Sequence, residues 1–132
     1  MLFGLLASIA QFAMSQGHGI NIISYDINAI IGIHADKVDI TATCLIQKTD
    51  TTSQSVLLLS SDSRLQAVRS FTNGSWSEIP FQFVGRDTLQ LHFPLRMRQP
   101  DSLTIEFKYT FPISPLGDSL LLLDRGSRWY PL

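Results

Sequence analysis

The sequence predicts an all-β fold, an antiparallel β-sandwich of about seven or eight short strands. Three observations carry this expectation. From Ile20 onward apolar and polar side chains alternate with a period of two. Turn residues separate these runs about every eight to twelve positions. No segment after Gly19 has a helical period. At 132 residues the chain is long enough for one domain and too short for two ordinary ones. With 45% hydrophobic and 16% charged residues it can bury a core, and its composition is not that of a disordered chain.

The N-terminal segment stands apart. Met1 to Met14 is largely apolar, and no charged side chain appears before Asp26. The run is too short and too interrupted to span a bilayer. It fits the apolar region of a secretory signal, with small residues at Ala13 and Ser15, although no Lys or Arg precedes it. The chain therefore divides into a signal peptide over residues 1–17 and a single sandwich domain over residues 18–132. Export to the periplasm, cell surface or medium follows from that reading. The alternative is an amphipathic or buried N-terminal helix that belongs to the fold.

The strands follow in order. Tyr25, Ile27, Ala29, Ile31 and Ile33 form one apolar face, and His34 to Lys37 reads as a turn. Val38, Ile40, Ala42, Cys44 and Ile46 form the cleanest alternating strand, its β-branched content fitting a pleated surface. Cys44 lies on the apolar face and is expected to be an inert core thiol. Lys48 to Ser55 is a polar loop. Val56 to Leu59 gives a third strand, broken at Ser60 to Ser63 and resumed from Leu65 to Phe71. Asn73-Gly74 is a tight-turn signal, since both residues tolerate positive φ. Trp76 to Val84 is a strand interrupted at Pro80, which cannot donate to a ladder and so marks an edge or bulge. Gly85 to Asp87 turns the chain. Leu89, Leu91 and Phe93 then face inward, as do Leu103, Ile105, Phe107 and Tyr109. Pro94 and Pro100 bracket a connector with Arg96 and Arg98, and Leu120 to Leu123 makes the last strand.

Chemistry-bearing motifs are absent. The histidines His18, His34 and His92 are unpaired, and none has the i, i+4 partner of a zinc hydrolase. The single cysteine excludes an intrachain disulfide and a multi-cysteine zinc site. No G-x-S-x-G elbow and no paired carboxylates are present; Asp87 and Asp101 fall in turns, and Asp118 and Asp124 flank the leucine run. No cofactor motif appears. Asn73-Gly74-Ser75 also matches the glycosylation sequon, but the turn explains it. A net charge of −1 with scattered basic residues offers nothing to nucleic acid or to an anionic membrane. One contact surface is suggested near the end of the chain, where Arg125, Arg128, Trp129 and Tyr130 cluster, because Arg, Trp and Tyr are enriched at interface hot spots. Those aromatics equally fit a role in closing the end of the sandwich.

The ordered set of pieces resembles the N-terminal β-domain of the gluzincin aminopeptidases of the membrane alanyl aminopeptidase type. A Tyr-centred strand (Tyr25-Asp26-Ile27) comes first, then a strand from Val38 to Ile46. The Leu-rich step Leu57-Leu58-Leu59 follows with Leu65-Gln66-Ala67-Val68. A strand from Leu103 to Tyr109 comes next, and the segment closes near Trp129-Tyr130-Pro131. The chain departs from the pattern in its short His34–Lys37 turn and in lacking a clear Gly before the second strand. The resemblance implies a saddle-like β-domain packed on a catalytic domain. That family's H-E-x-x-H motif, distal Glu and G-x-M-E-N loop lie downstream of this domain and have no counterpart here, so the resemblance carries a fold and not an activity. The expectation is a non-catalytic structural or accessory module, with a downstream catalytic domain or another protein as its partner. The alternative is a stand-alone secreted or surface binding domain using loops at one end of the sandwich. An enzyme without a recognisable motif is the third reading.

Overall fold

The computed structural model describes residues 2–7, 19–32, 36–97, 101–112, 115–116, 120–121 and 131. Its strands are β1 (Leu2–Ala7), β2 (Ile20–Gly32), β3 (Lys37–Lys48), β4 (Gln54–Leu58), β5 (Arg64–Thr72), β6 (Ser75–Glu78), β7 (Phe81–Phe83), β8 (Thr88–His92), β9 (Ser102–Pro112), β10 (Pro115–Leu116) and β11 (Leu120–Leu121). The larger sheet has the order β1-β2-β3-β9-β5-β6 and the smaller β4-β8-β7; β10 and β11 form a short ribbon. Every pairing is antiparallel. The two main sheets share one core, as a sandwich requires, and neither closes into a barrel.

The fold grows from β3 and β9. They pair over their whole length, from Lys37 opposite Pro112 to Gln47 opposite Ser102. In antiparallel strands, opposed residues share a face. Val38, Ile40, Ala42, Cys44 and Ile46 thus meet Phe111, Tyr109, Phe107, Ile105 and Leu103, and all ten are buried. Leu57, Leu59, Leu89, Leu91 and Phe93 cover this layer from the smaller sheet. Phe107 is wholly buried at the centre, where truncation to Ala costs about 3–5 kcal/mol.

Strand β2 changes phase. Ile20 and Ile22 are buried, as are Tyr25, Ile27 and Ala29. A register shift between Ile22 and Ser24 moves the inward set from even to odd numbers and turns Ile23 outward. The polar loop after β3 is fastened from within. The Lys48 side chain is fully buried. Its Nζ donates to the Thr52 carbonyl at 3.0 Å, sits 3.6 Å from Asp50 Oδ1 and lies 4.7 Å from the Phe93 ring centre. The Thr52 hydroxyl donates to Asp50 Oδ1 and holds that carboxyl below its ordinary range. Gly19 adjoins this loop at φ 87°, where a Cβ would lie 2.8 Å from Asp50 Oδ2.

Several expectations change at the boundaries. Leu65–Phe71 does not resume the third strand: β4 belongs to the smaller sheet and β5 to the larger. Trp76–Val84 is two strands, since the chain leaves the larger sheet at Ile79, which donates to Val68, and enters the smaller one after Pro80. Lys37 opens β3 rather than completing a turn, Lys48 closes it, and Gln54 and Ser55 already belong to β4. Leu2–Ala7 pairs with β2 as a strand, so the helical alternative for these residues is replaced by an edge strand. The Asn73-Gly74 turn is as expected, with φ 52° and 78° and a two-residue loop between Thr72 and Ser75.

Burial raises the Cys44 thiol far above its ordinary range, and burial likewise raises Tyr109. The folded state keeps its proton on Cys44 where the unfolded chain loses it. Stability is therefore full below about pH 8.5 and falls above it, by up to about 1.4 kcal/mol per pH unit per group. Urea titrations at rising pH should show this decline, with Cys44→Ala delaying its onset towards the tyrosine range. A thiol reagent should react slowly with folded protein and fast with denatured protein. Equal rates would remove Cys44 from the core.

Candidate interaction surfaces

Because opposed residues share a face, the register of the larger sheet lays out its outer surface in rows. One row runs Ser24, Leu45, Thr104, Phe71, Trp76; the next runs Asp26, Thr43, Glu106, Arg69, Glu78. Leu45, Phe71 and Trp76 are exposed, with Thr104 between Leu45 and the adjoining Phe71–Trp76 pair. The Asn73-Gly74 turn sets Phe71 directly opposite Trp76, with ring centres 5.2 Å apart and planes tilted by 55°. The Arg69 guanidinium lies 5.2 Å from the Trp76 ring centre and binds the Glu106 carboxylate, its Nε donating to Oε1 at 3.1 Å. Lys108 Nζ approaches the same oxygen at 3.7 Å. Trp76 and Arg69 together make the strongest hot-spot composition among the described residues.

Two other features are polar. On the outer side of the smaller sheet, the side-chain amides of Gln82, Gln90 and Gln54 form a ladder with bonds of 2.6 and 2.8 Å. At one end of the sandwich a shallow hollow of about 380 Å³ is lined by Asp36, Lys37, Asp62, Arg64 and Thr110. Its two acids and two bases give no single-signed field for a charged ligand.

The residues singled out from the sequence, Arg125, Arg128, Trp129 and Tyr130, lie outside the described residues, as do His18 and His34. Their neighbour Pro131 is described. It is buried, and its carbonyl accepts a 2.6 Å hydrogen bond from the Tyr25 hydroxyl on β2. The end of the chain is thus tied to the core 106 residues away. His92 is half-buried on β8. No group of three or more His, Cys, Asp or Glu able to hold a metal occurs among the described residues, so these residues do not fit a zinc centre. No helix among them is long and apolar enough to cross a membrane. The Phe71–Trp76–Arg69 cluster was missed from the sequence, although counting outward from a two-residue Asn-Gly loop pairs Phe71 with Trp76 and Arg69 with Glu78.

No family model matches the sequence, and no curated protein matches it. The structure is similar to that of an M1 zinc metallopeptidase from Deinococcus radiodurans solved with a Tyr-Ser-Ala substrate. The TM-score is 0.51 at 16% sequence identity, over 82% of this chain and 24% of that one. The likeness is one of fold, and this chain spans about a quarter of the length of that enzyme.

Replacing Tyr25 by Phe removes the donor to the Pro131 carbonyl and should lower stability by about 1–3 kcal/mol. Deleting Ser127 to Leu132 should lower the melting midpoint at least as far. A deletion variant with an unchanged midpoint would show that the tail does not close the sandwich.

Proposed function

We propose that this chain is a non-catalytic accessory β-module of an aminopeptidase-like protein that packs against a following domain. The observation that carries the reading is the fold similarity, which takes in most of this chain and about a quarter of an M1 metallopeptidase. The absence of H-E-x-x-H from the sequence supports it, since the zinc chemistry would then belong to the domain that follows. The test is the reading frame beyond Leu132. The proposal expects an in-frame continuation carrying H-E-x-x-H, and an isolated 132-residue chain that hydrolyses no aminoacyl substrate with zinc added. Zinc-dependent hydrolysis by the isolated chain would contradict it.

The polar hollow beside Asp36 and Arg64 favours a second reading, a stand-alone binding domain that uses the loops at that end. A stop codon after Leu132 with no zincin encoded nearby would favour this reading.

Export is part of the proposal. It is supported by the uncharged, apolar start of the chain. Cleavage near Gln16 would remove β1 and leave β2 as the edge of the larger sheet. Mass spectrometry of the exported product should find a first residue within a few positions of Gln16. A soluble cytoplasmic product retaining Met1 would sink the export reading and keep β1 in the fold.

A further inference from the structure

Strand β6 ends the larger sheet, and its two-residue turn decides which of its backbone groups are spare. The residues flanking such a turn, Thr72 and Ser75, form a hydrogen-bonded pair, and the bonded pairs then recur at every second position. The parity is visible at Ile79, whose N–H donates to the Val68 carbonyl at 2.9 Å. Trp76 and Glu78 fall on the intervening pairs, opposite Phe71 and Arg69. Their N–H and C=O groups therefore point away from β5, toward an edge that no strand among the described residues pairs with. This open window is short. The turn closes one end. At the other, Pro80 has no N–H, and its carbonyl accepts from His92 at 2.9 Å in the smaller sheet.

We propose that two copies of this chain join edge to edge through β6, antiparallel about a two-fold axis at Ser77. Trp76 then pairs with Glu78 of the partner subunit, and Glu78 with Trp76 of the partner subunit. No neighbouring register satisfies the window. An axis at Trp76 or at Glu78 joins only one bonded pair inside it, and the axis at Glu78 sets Trp76 against a proline that has no donor. The axis at Ser77 pairs both outward residues of each copy and joins the two larger sheets into one.

The side chains favour the same register. Opposed residues share a face, so each exposed Trp76 gains Glu78 of the partner subunit as its neighbour on the outer surface. Arg69 turns away from the Glu78 of its own strand pair, onto Glu106 and the Trp76 ring. The second carboxylate thus arrives beside a ring that already carries a guanidinium. The guanidinium on that ring gives the incoming carboxylate a nearby opposite charge, in addition to the Glu106 that already binds it. The seam is small, below the ~1,200 Å² of a standard interface, so the association is weak and depends on concentration. It is independent of the accessory-module reading.

Sedimentation velocity on the full chain, from micromolar to millimolar concentration, tests this together with amide exchange at both extremes. The expected result is a reversible monomer–dimer equilibrium. Protection of the Trp76 and Glu78 amides should rise with concentration, while the Ser77 amide, bonded within the hairpin, is protected throughout. Glu78→Pro removes an outward N–H and no bond to β5. Glu78→Lys replaces the carboxylate that meets the Trp76 ring of the partner subunit by a cation, and it also faces Arg69 of its own strand pair. Each should weaken the dimer by at least about tenfold, and the proline variant should leave the melting midpoint of the dilute protein unlowered. Where either variant lowers the midpoint, the dimer affinity measured well below that midpoint and the exchange pattern decide. A chain that stays monomeric throughout, or a dimer that both variants leave unweakened, overturns the proposal.

Discussion

The pairing of β3 with β9 is the constraint on which the rest of the molecule depends. Both strands are long, both alternate without interruption, and their eleven register pairs place every inward residue from Val38 to Ile46 against a buried apolar partner from Phe111 to Leu103. A slip of β9 by one residue would turn Ile105 and Phe107 to solvent and bring Glu106 and Lys108 into the core. Burying those charges without partners would cost several kcal/mol, comparable with the whole stability of a small domain. The register is fixed by that penalty. Once it is fixed, β2 and β5 can add only on the flanks, and the outer rows that carry Arg69, Phe71 and Trp76 follow from the same parity.

The chain passes between the two main sheets four times, and two of these crossings carry it into the smaller one. At one, the loop between β3 and β4 turns the chain over the core on the buried Lys48, whose ammonium is held by the Thr52 carbonyl, Asp50 and the Phe93 ring. At the other, Ile79 still bonds to β5 while the next residue, Pro80, accepts from His92 in the smaller sheet. One strand direction therefore serves two sheets, and the proline stands where the ladder must be abandoned. Together the crossings set three strands over six, so the smaller sheet is narrower than the larger one.

Much of this was legible in the sequence because its strongest signals are local. The inward faces of β3, β8 and β9 were read residue by residue, and so was the Asn73-Gly74 hairpin. What stayed hidden depends on distant contacts. The apolar residues Leu57, Leu59, Leu65 and Val68 read as one interrupted strand, because nothing in a run of six or seven residues says which sheet will receive it. The bulge between Ile22 and Ser24 was invisible, since a phase change looks like a loss of pattern. Arg69 reads as an ordinary surface cation until β9 brings Glu106, 37 residues later, beside it. The bond from Tyr25 to the Pro131 carbonyl spans almost the whole chain and has no local trace.

Native-state amide hydrogen exchange tests most directly the claim that the β3–β9 pair organises the fold. The slowest amides should lie between Ile40 and Ile46 and between Leu103 and Tyr109, and they should open only with global unfolding. Amides of the short strands β6 and β7 should exchange sooner through local opening. Slowest exchange in the smaller sheet, with β3 and β9 opening below the global free energy, would contradict the account.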